Sequence, residues 1–421
     1  MLRCPWCTGT SWPMPKGFFA LILAQFASGL ADNALMILGV FFLQEQGYAA
    51  WWAPLLKFSF TLSYVLLASV VGPVSDAFPK GRLMAIMNTV KLIGVVLLVL
   101  GAHPLLSFAL VGMAAAVYAP AKYGLVTESV PASHLVKANA WLEVSVVMSV
   151  LLGVALGGWL IGWSARGGLL TAAHLLDVRG LNSHALDAFA VVSLIYVISA
   201  FLNAGLGTMG SASVQLPLFW RDMRWSVFWQ SNRQLWKDPL GGVSLYVTTL
   251  SWGVGAVLQF AVLAWAQDMA GLTLQQGAYL QALVAIGVIL GALRASKRFR
   301  LFNARKAMVW GLLLAAILPL MTLIGELELA IPVLIAAGFS GGMLLVPMNS
   351  LLQHRGYKIL SPGRSIAVQG FNENLSVLVM LGIYSALLAA GMRLWFIMLL
   401  LTLPLLAAVL PLGVKSWKKG T

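Results

Sequence analysis

The stretch GFFALILAQFASGLADNALMILGVFFL, residues 17–43, decides the fold: across its whole length it carries one formal charge, on Asp32. A run of about 20 apolar residues is long enough to cross the hydrocarbon of a bilayer as a helix, and a backbone in lipid must satisfy its own hydrogen bonds. The run has no period-two alternation, so it reads as a helix and not as a strand of a β-barrel. The carboxylate halfway along is the anomaly. An ionisable group near mid-bilayer costs about 2.5–3.5 kcal/mol on insertion scales, so Asp32 is expected to face protein or water and not lipid.

Working outward, runs of the same kind recur near 52–75, 83–101, 104–126, 139–161, 186–207, 241–267, 276–296, 304–324, 329–353, 365–388 and 393–413. With the first they make twelve spans, and the fold class is all-α, a polytopic membrane protein. Composition agrees: 60% of the 421 residues are hydrophobic and 10% charged, whereas a soluble globule carries about 25% charged residues. Of the 27 Lys and Arg, only Arg166, Arg179 and Arg393 fall in loops on one side, and Lys57, Lys91 and Lys122 fall within spans. All the others lie on the opposite side. By the positive-inside rule that side, with both termini, is cytoplasmic.

The net charge of +14 could suggest nucleic acid, but the cations are spread over every loop of one side instead of forming a patch, so no nucleic-acid partner is expected. The first apolar run is too long for a cleavable signal peptide and is followed by more of its kind. Cys4 and Cys7 form Cys-Pro-Trp-Cys without a βαβ context or further ligands, which gives no ground for a redox or metal role. The longer outer loop 162–187 holds His174, Asp177, His184 and Asp187, and nothing orders these residues against one another. No cofactor and no metal are expected.

The chain divides about its middle. Residues 208–240 hold Trp220, Arg221, Arg224, Trp225, Trp229, Arg233, Trp236 and Lys237, a pattern that suits an interfacial amphipathic helix with its cations at headgroups. Residues 1–207 and 241–421 are then two six-helix halves with a faint internal echo. Pro120 in span four corresponds to Pro347 in span ten, Asn139 to Gln369, and Glu143 to Glu373. Parallel six-helix repeats are the build of major facilitator transporters. The loop after span two, Gly72-Pro-Val-Ser-Asp76-Ala-Phe-Pro-Lys-Gly81-Arg82, resembles the loop signature of that superfamily, with one extra residue before the second glycine. There Gly72 and Gly81 allow close helix approach, and Asp76 and Arg82 are expected to make charge-assisted contacts that latch one conformation.

Five further ionisable groups stand inside spans. Lys91 in span three could neutralise an acidic partner or bind a phosphate, and Lys57 near the outer end of span two is expected to reach the interface. Lys122, in Tyr118-Ala-Pro-Ala-Lys-Tyr-Gly124, follows Pro120, whose missing N–H frees a carbonyl. Glu143 falls one turn into span five and Glu373 two turns into span eleven. Asn372, Glu373 and Asn374 are consecutive and cannot share one helical face, so at least one must pack against a neighbouring helix. Asp32 and Asn33 can offer a carboxylate and an amide at one depth. A cavity holding both signs suits a zwitterion, such as a phosphoethanolamine headgroup whose amine meets carboxylates and whose phosphate meets a lysine. Charge pairing within an empty cavity would look the same.

At these residues a closer resemblance enters. Ala24-Gln-Phe with Asp32-Asn-Ala-Leu35, Tyr118-Ala-Pro-Ala-Lys-Tyr-Gly124, Leu135-Val-Lys-Ala-Asn139, and Ala367-Val-Gln followed by Glu373-Asn resemble, in order, the bacterial lysophospholipid transporter family. The likeness runs from about residue 16 to 410. It implies an inner-membrane facilitator of Gram-negative bacteria that moves lysophosphatidylethanolamine, and lysophosphatidylglycerol, from the outer to the inner leaflet. A separate cytoplasmic-side acyltransferase is the implied partner, and a monomer is expected. The resemblance places Asp32, Asn33, Lys122 and Glu373 on a polar transport pathway; Glu143 and Asn372, from their positions inside spans, are expected to line the same route. Where the family carries a span-seven arginine, this chain has Gln259, which keeps hydrogen bonding and loses the charge.

Two other functions fit the composition. A proton-coupled exporter of drugs or small polar solutes would use the same buried carboxylates as proton carriers. A membrane-embedded acyl-transfer enzyme would need a nucleophile and base within reach, and no His-x-x-x-x-Asp pattern appears, since His134 is followed at that distance by Asn139. The chain is therefore not expected to be an enzyme.

Overall fold

The computed structural model describes residues 16–48, 52–164, 183–208, 217, 220–268 and 274–418, and no strand occurs among them. Cys4, Cys7, His174 and Asp177 lie outside the described residues.

Each apolar run becomes a helix. In chain order these are α1 (Lys16–Glu45), α2 (Trp52–Leu66), α3 (Ala68–Ala77), α4 (Lys80–Val99), α5 (Pro104–Ser129), α6 (Leu135–Ser164), α7 (Ser183–Ala204), α8 (Trp225–Lys237), α9 (Gly241–Asp268), α10 (Leu274–Arg298), α11 (Met308–Met321), α12 (Leu327–Ile359), α13 (Pro362–Ala389) and α14 (Leu394–Lys418). Among the described residues ten helices are long and apolar enough to cross a membrane, and α2 with α3 makes an eleventh, bent by 66°. The apolar segment Leu394–Pro404 of α14 occupies the place of the twelfth span.

The second span is thus broken where the sequence shows one continuous run. Leu67 leaves the helical region at φ −93° and ψ 3°, and Pro73 stands inside the helix that follows. A proline donates no backbone hydrogen bond to the preceding turn, so the start of α3 lacks the full ladder that would carry α2 straight on. Pro120 and Pro347, by contrast, sit inside the unbroken helices α5 and α12.

Helix contact in lipid relies on close packing because no water is expelled. The α10–α12 crossing shows this most clearly: a Cβ on Gly287 would fall 2.2 Å from the Ile335 carbonyl oxygen, and one on Gly342 2.4 Å from that of Val288. The backbones touch directly there. Among the first seven helices, Phe42, Leu56, Phe108 and Phe189 fill the core far from the basic loops, while Phe18, Met84, Leu125 and Leu142 fill the core near them.

The expected amphipathic helix is α8. It buries Phe228, Ser231, Asn232 and Leu235, a three–four spacing that makes one stripe. That stripe packs on Ala68 of α3 and on Leu352, Val368 and Phe371 of α12 and α13, so the linker helix touches helices from both sides of the chain midpoint. Its tryptophans Trp225 and Trp229 stay exposed.

Candidate functional site

Asp32 lies near the middle of α1, and its two oxygens are both occupied. Oδ2 pairs with the Lys91 ammonium of α4 at 2.7 Å, and Oδ1 accepts from the Tyr196 hydroxyl of α7 at 2.7 Å. Lys91 is 1% exposed against 20% for Asp32, so the cation is sealed while the carboxylate has an open edge. Lys91 also donates to Ser28 at 3.0 Å, and the chain continues from Ser28 to Asn88, from Asn88 to Ser199, and from Ser199 to the Ala24 carbonyl, each at 2.8 Å. The Tyr118 ring covers the Lys91 ammonium at 5.1 Å. A buried charge needs such complete compensation. Of the two roles open to Lys91, neutralising an acidic partner is the one the geometry shows.

Lys122 of α5 is different. Among the described residues it makes no hydrogen bond or ion pair, and its ammonium lies 4.4 Å over the Tyr123 ring. It stands within Coulombic range of Glu143, Lys91 and Asp32, and Glu143 in turn stands within range of Glu373. Glu373 of α13 accepts from Gln369 Nε2 at 2.8 Å and contacts the Thr248 hydroxyl of α9. Gln369 also donates to Asn349 Oδ1 of α12 at 3.0 Å. Lys122 is thus within range of both Asp32 and Glu143, and Glu143 within range of Glu373.

The end of the bundle that carries the basic loops is closed by contacts between early and late helices. Asp76 accepts from the backbone N–H of Gly363 at 2.8 Å and of Arg364 at 3.3 Å, and from the Ser361 hydroxyl. It thereby fills the N-terminus of α13, where unpaired amides and the helix dipole favour an anion. A Cβ on Gly72 would lie 2.9 Å from Arg364 Cα, and one on Gly363 would lie 2.6 Å from the Gly72 carbonyl oxygen, so the two segments meet only because both positions are glycine. Nearby, Asn139 of α6 and Gln353 of α12 exchange two amide hydrogen bonds, each 2.9 Å.

One expectation for this loop fails. Arg82 is exposed and, among the described residues, makes no ion pair. Lys80, two residues earlier, is buried and pairs with Glu128 of α5 at 2.8 Å. The helix α4 begins at Lys80, which turns that side chain inward across α5 and leaves Arg82 on the outer face. Gly81 packs against the Asn203 carbonyl and Leu206.

A profile of the Major Facilitator Superfamily matches residues 21–376. The chain is 37% identical over 377 residues to the lysophospholipid transporter LplT of Shigella flexneri, covering 89% of this chain and 90% of that one. It is 35% identical over 378 residues to the LplT of Enterobacter sp. strain 638, covering 90% of each. The chain belongs to the lysophospholipid transporter family of the major facilitator superfamily. The fold agrees with this: the transporter FucP in its outward conformation superposes with a TM-score of 0.72 at 15% identity, covering 95% of this chain and 98% of that one. A bacterial homologue of the iron transporter ferroportin gives 0.69 at 14% identity, covering 96% and 100%.

Within this family member the remaining expected site residues separate. Asn33 donates back to the Gly29 carbonyl at 2.8 Å and packs on Gly153 of α6, so it does not join Asp32 at Lys91. Asn372 turns away from the interior: its amide donates to Asn232 at 3.0 Å and accepts from Trp236 at 3.3 Å, both on α8. It is the member of the polar triplet that packs against the linker helix. Gln259 of α9 has an exposed side chain, and the Gln281 amide donates to its backbone carbonyl at 2.7 Å. Lys57, expected at the interface, is exposed yet within Coulombic range of Asp32. Sequence reasoning did not single out Tyr64, Tyr118, Tyr123 and Tyr196, which surround the charges. Tyr118 and Tyr123, at i and i+5, flank Lys122 in the same span, and that signal was readable.

Proposed function

We propose that this chain moves lysophospholipids, chiefly lysophosphatidylethanolamine, from the outer to the inner leaflet of the bacterial inner membrane. The observation that carries the reading is the Lys122 ammonium, which has no hydrogen-bond or ion-pair partner among the described residues and stands within Coulombic range of Glu143, itself within range of Glu373. A phosphate beside Lys122 and an ammonium beside Glu143 or Glu373 would satisfy charges that the protein leaves uncompensated. The names of the similar proteins support the same substrate class.

In this reading the basic end is cytoplasmic and the latched state opens toward the outer leaflet. Breaking the contacts of Asp76 and of Asn139 with Gln353 would then let the headgroup leave on the inner side by alternating access. The acyl tail stays in lipid through a lateral gap, because exposing roughly 16 methylenes to water would cost about 0.8 kcal/mol each. An acyltransferase acting on the inner leaflet would consume the product.

The test is uptake of labelled lysophosphatidylethanolamine by vesicles that contain only this protein. Loss of uptake in both Lys122→Gln and Glu373→Gln is expected, and variants as fast as the parent would refute the site. The uncompensated Glu143 and Glu373 would also serve a proton-coupled exporter. Strict dependence of uptake on a pH gradient would favour that second reading.

A further inference from the structure

Lys57 is a charge that the central group does not use. It lies five residues into α2, about 8 Å from the helix start at the open end by the rise of an α-helix, while Lys122 lies seven residues from the end of α5, about 10 Å from the latched end. The two lysines thus stand at opposite depths with Asp32 between them. Both lack a carboxylate partner among the described residues. In lipid, an exposed ammonium at this position would be costly. Tyr64, on the same stripe of α2, packs against the cluster of Ala116 and Ala367, which puts this face of α2 on the inner side, toward the opening.

The residues below Lys57 make a continuous face. Lys57, Phe60 and Tyr64 follow at i, i+3 and i+7, which places them in one stripe on α2. The Lys57 ammonium is 5.5 Å from the Phe60 ring centroid, and the Phe60 and Tyr64 rings are 6.0 Å apart. Tyr64 packs with Ala116 of α5 and Ala367 of α13 and stands within Coulombic range of Tyr123, the ring beneath Lys122. Just past Tyr64 the span bends by 66°, so the stripe ends where the helix turns away. Aromatic faces beside a cation hold it in place without neutralising it.

We propose that Lys57 is the first phosphate contact of the transport route, and that the Phe60–Tyr64 stripe leads the anionic headgroup of a single-chain phospholipid from Lys57 down to Lys122. This rests on the lysophospholipid reading above and adds a capture step to it. A residue that captures changes the concentration needed for half-maximal transport, whereas a residue of the deep site changes the maximal rate.

The experiment measures uptake of lysophosphatidylethanolamine into vesicles by the parent, Lys57→Gln and Lys57→Arg, with binding of phosphate-free monoacylglycerol in detergent as control. One screened charge contact is worth about 1 kcal/mol, so Lys57→Gln should raise the half-saturating concentration about fivefold with the maximal rate unchanged. Lys57→Arg should restore it, and monoacylglycerol binding should not change. Unchanged half-saturation in Lys57→Gln, or an equal loss for monoacylglycerol, overturns the assignment of Lys57. A parent protein that binds lysophosphatidylethanolamine but does not move it overturns the transport reading instead, and binding by the same variants then decides Lys57.

Discussion

The two halves of the molecule face one problem, a carboxylate in the hydrocarbon zone, and meet it differently. Asp32 in the N-terminal half has a buried lysine on one oxygen and a tyrosine hydroxyl on the other. Glu373 in the C-terminal half accepts from the Gln369 amide and, among the described residues, has no ion-pair partner. The first arrangement is complete without a ligand. The second solvates the carboxylate but leaves its charge uncancelled, so a cationic group arriving from outside gains most there. The difference separates two roles that look alike in sequence: Asp32 with Lys91 ties α1, α4 and α7 together, while Glu373 and the lone Lys122 leave one charge of each sign for a substrate.

The largest effect that could break this contrast is on folding. Lys91→Met strands Asp32 with only Tyr196, and removing one member of a buried ion pair costs about 3–5 kcal/mol. Thermal unfolding in detergent should fall steeply for Lys91→Met and recover in large part when Asp32→Asn is added. If the double variant is no more stable than the single one, the pair is not the structural unit described here. Next in size is the C-terminal carboxylate. Glu373→Gln keeps the hydrogen bonding and removes the charge, and a hydrogen bond to a charged group is worth about 1.5 kcal/mol or more. Uptake of lysophosphatidylethanolamine should fall about tenfold, and that of lysophosphatidylglycerol, which has no amine, should fall much less. Equal losses for the two lipids would mean that Glu373 does not meet the ammonium.

That contrast is also where the sequence stops being legible. The helices could be read because each is a nearly uncharged run, and the basic loops could be read because topology sorts lysine and arginine. Asp32, Lys91, Lys122 and Glu373 could be picked out because charge in an apolar run is costly wherever it points. Their pairing could not, since Lys91 and Asp32 are 59 positions apart and nothing local says which of three lysines turns to the carboxylate. The break at Leu67 was hidden because an apolar run looks the same straight or bent. Asn372 shows the limit in miniature: the triplet required one member to face a neighbour, and only the packing of α8 chose which. Arg82 was misjudged for a related reason, because the position where α4 begins, and not the residue type, decides whether residue 80 or 82 points inward.

A third carboxylate sharpens the comparison at smaller scale. Asp76 belongs to the N-terminal half but is compensated by the helix N-terminus of α13 in the other half. Its stabilisation is therefore present only while the basic end is closed. Loss of a capping side chain costs about 1 kcal/mol, so in Asp76→Ala the amides of Gly363 and Arg364 should exchange with solvent about fivefold faster. Amides in the middle of α13 should not change. Slower or unaltered exchange at the first turn would show that Asp76 does not hold the halves together.

The smallest effect is expected at the rim, where the C-terminal half does pair an acid with a cation. Asp238 accepts from Arg355 at 2.5 and 3.0 Å and from the Gly241 N–H at 2.7 Å, joining the end of α8 to α9 and α12. The Arg355 guanidinium, with help from these backbone N–H groups, holds the Asp238 carboxyl below its ordinary value of 3.8. A native carboxyl that ionises more readily than the unfolded one adds stability above the unfolded value, and that stability fades as pH drops through the lower native value. Asp238→Asn should thus be slightly less stable than the parent by a constant amount between about pH 5 and 8, under 1 kcal/mol for a pair so near water. The gap should close only in acid below the ordinary aspartate range. A gap that instead changes near neutral pH would place a different titrating group at this junction, and would mean that the rim of the C-terminal half is not held by the Asp238–Arg355 pair.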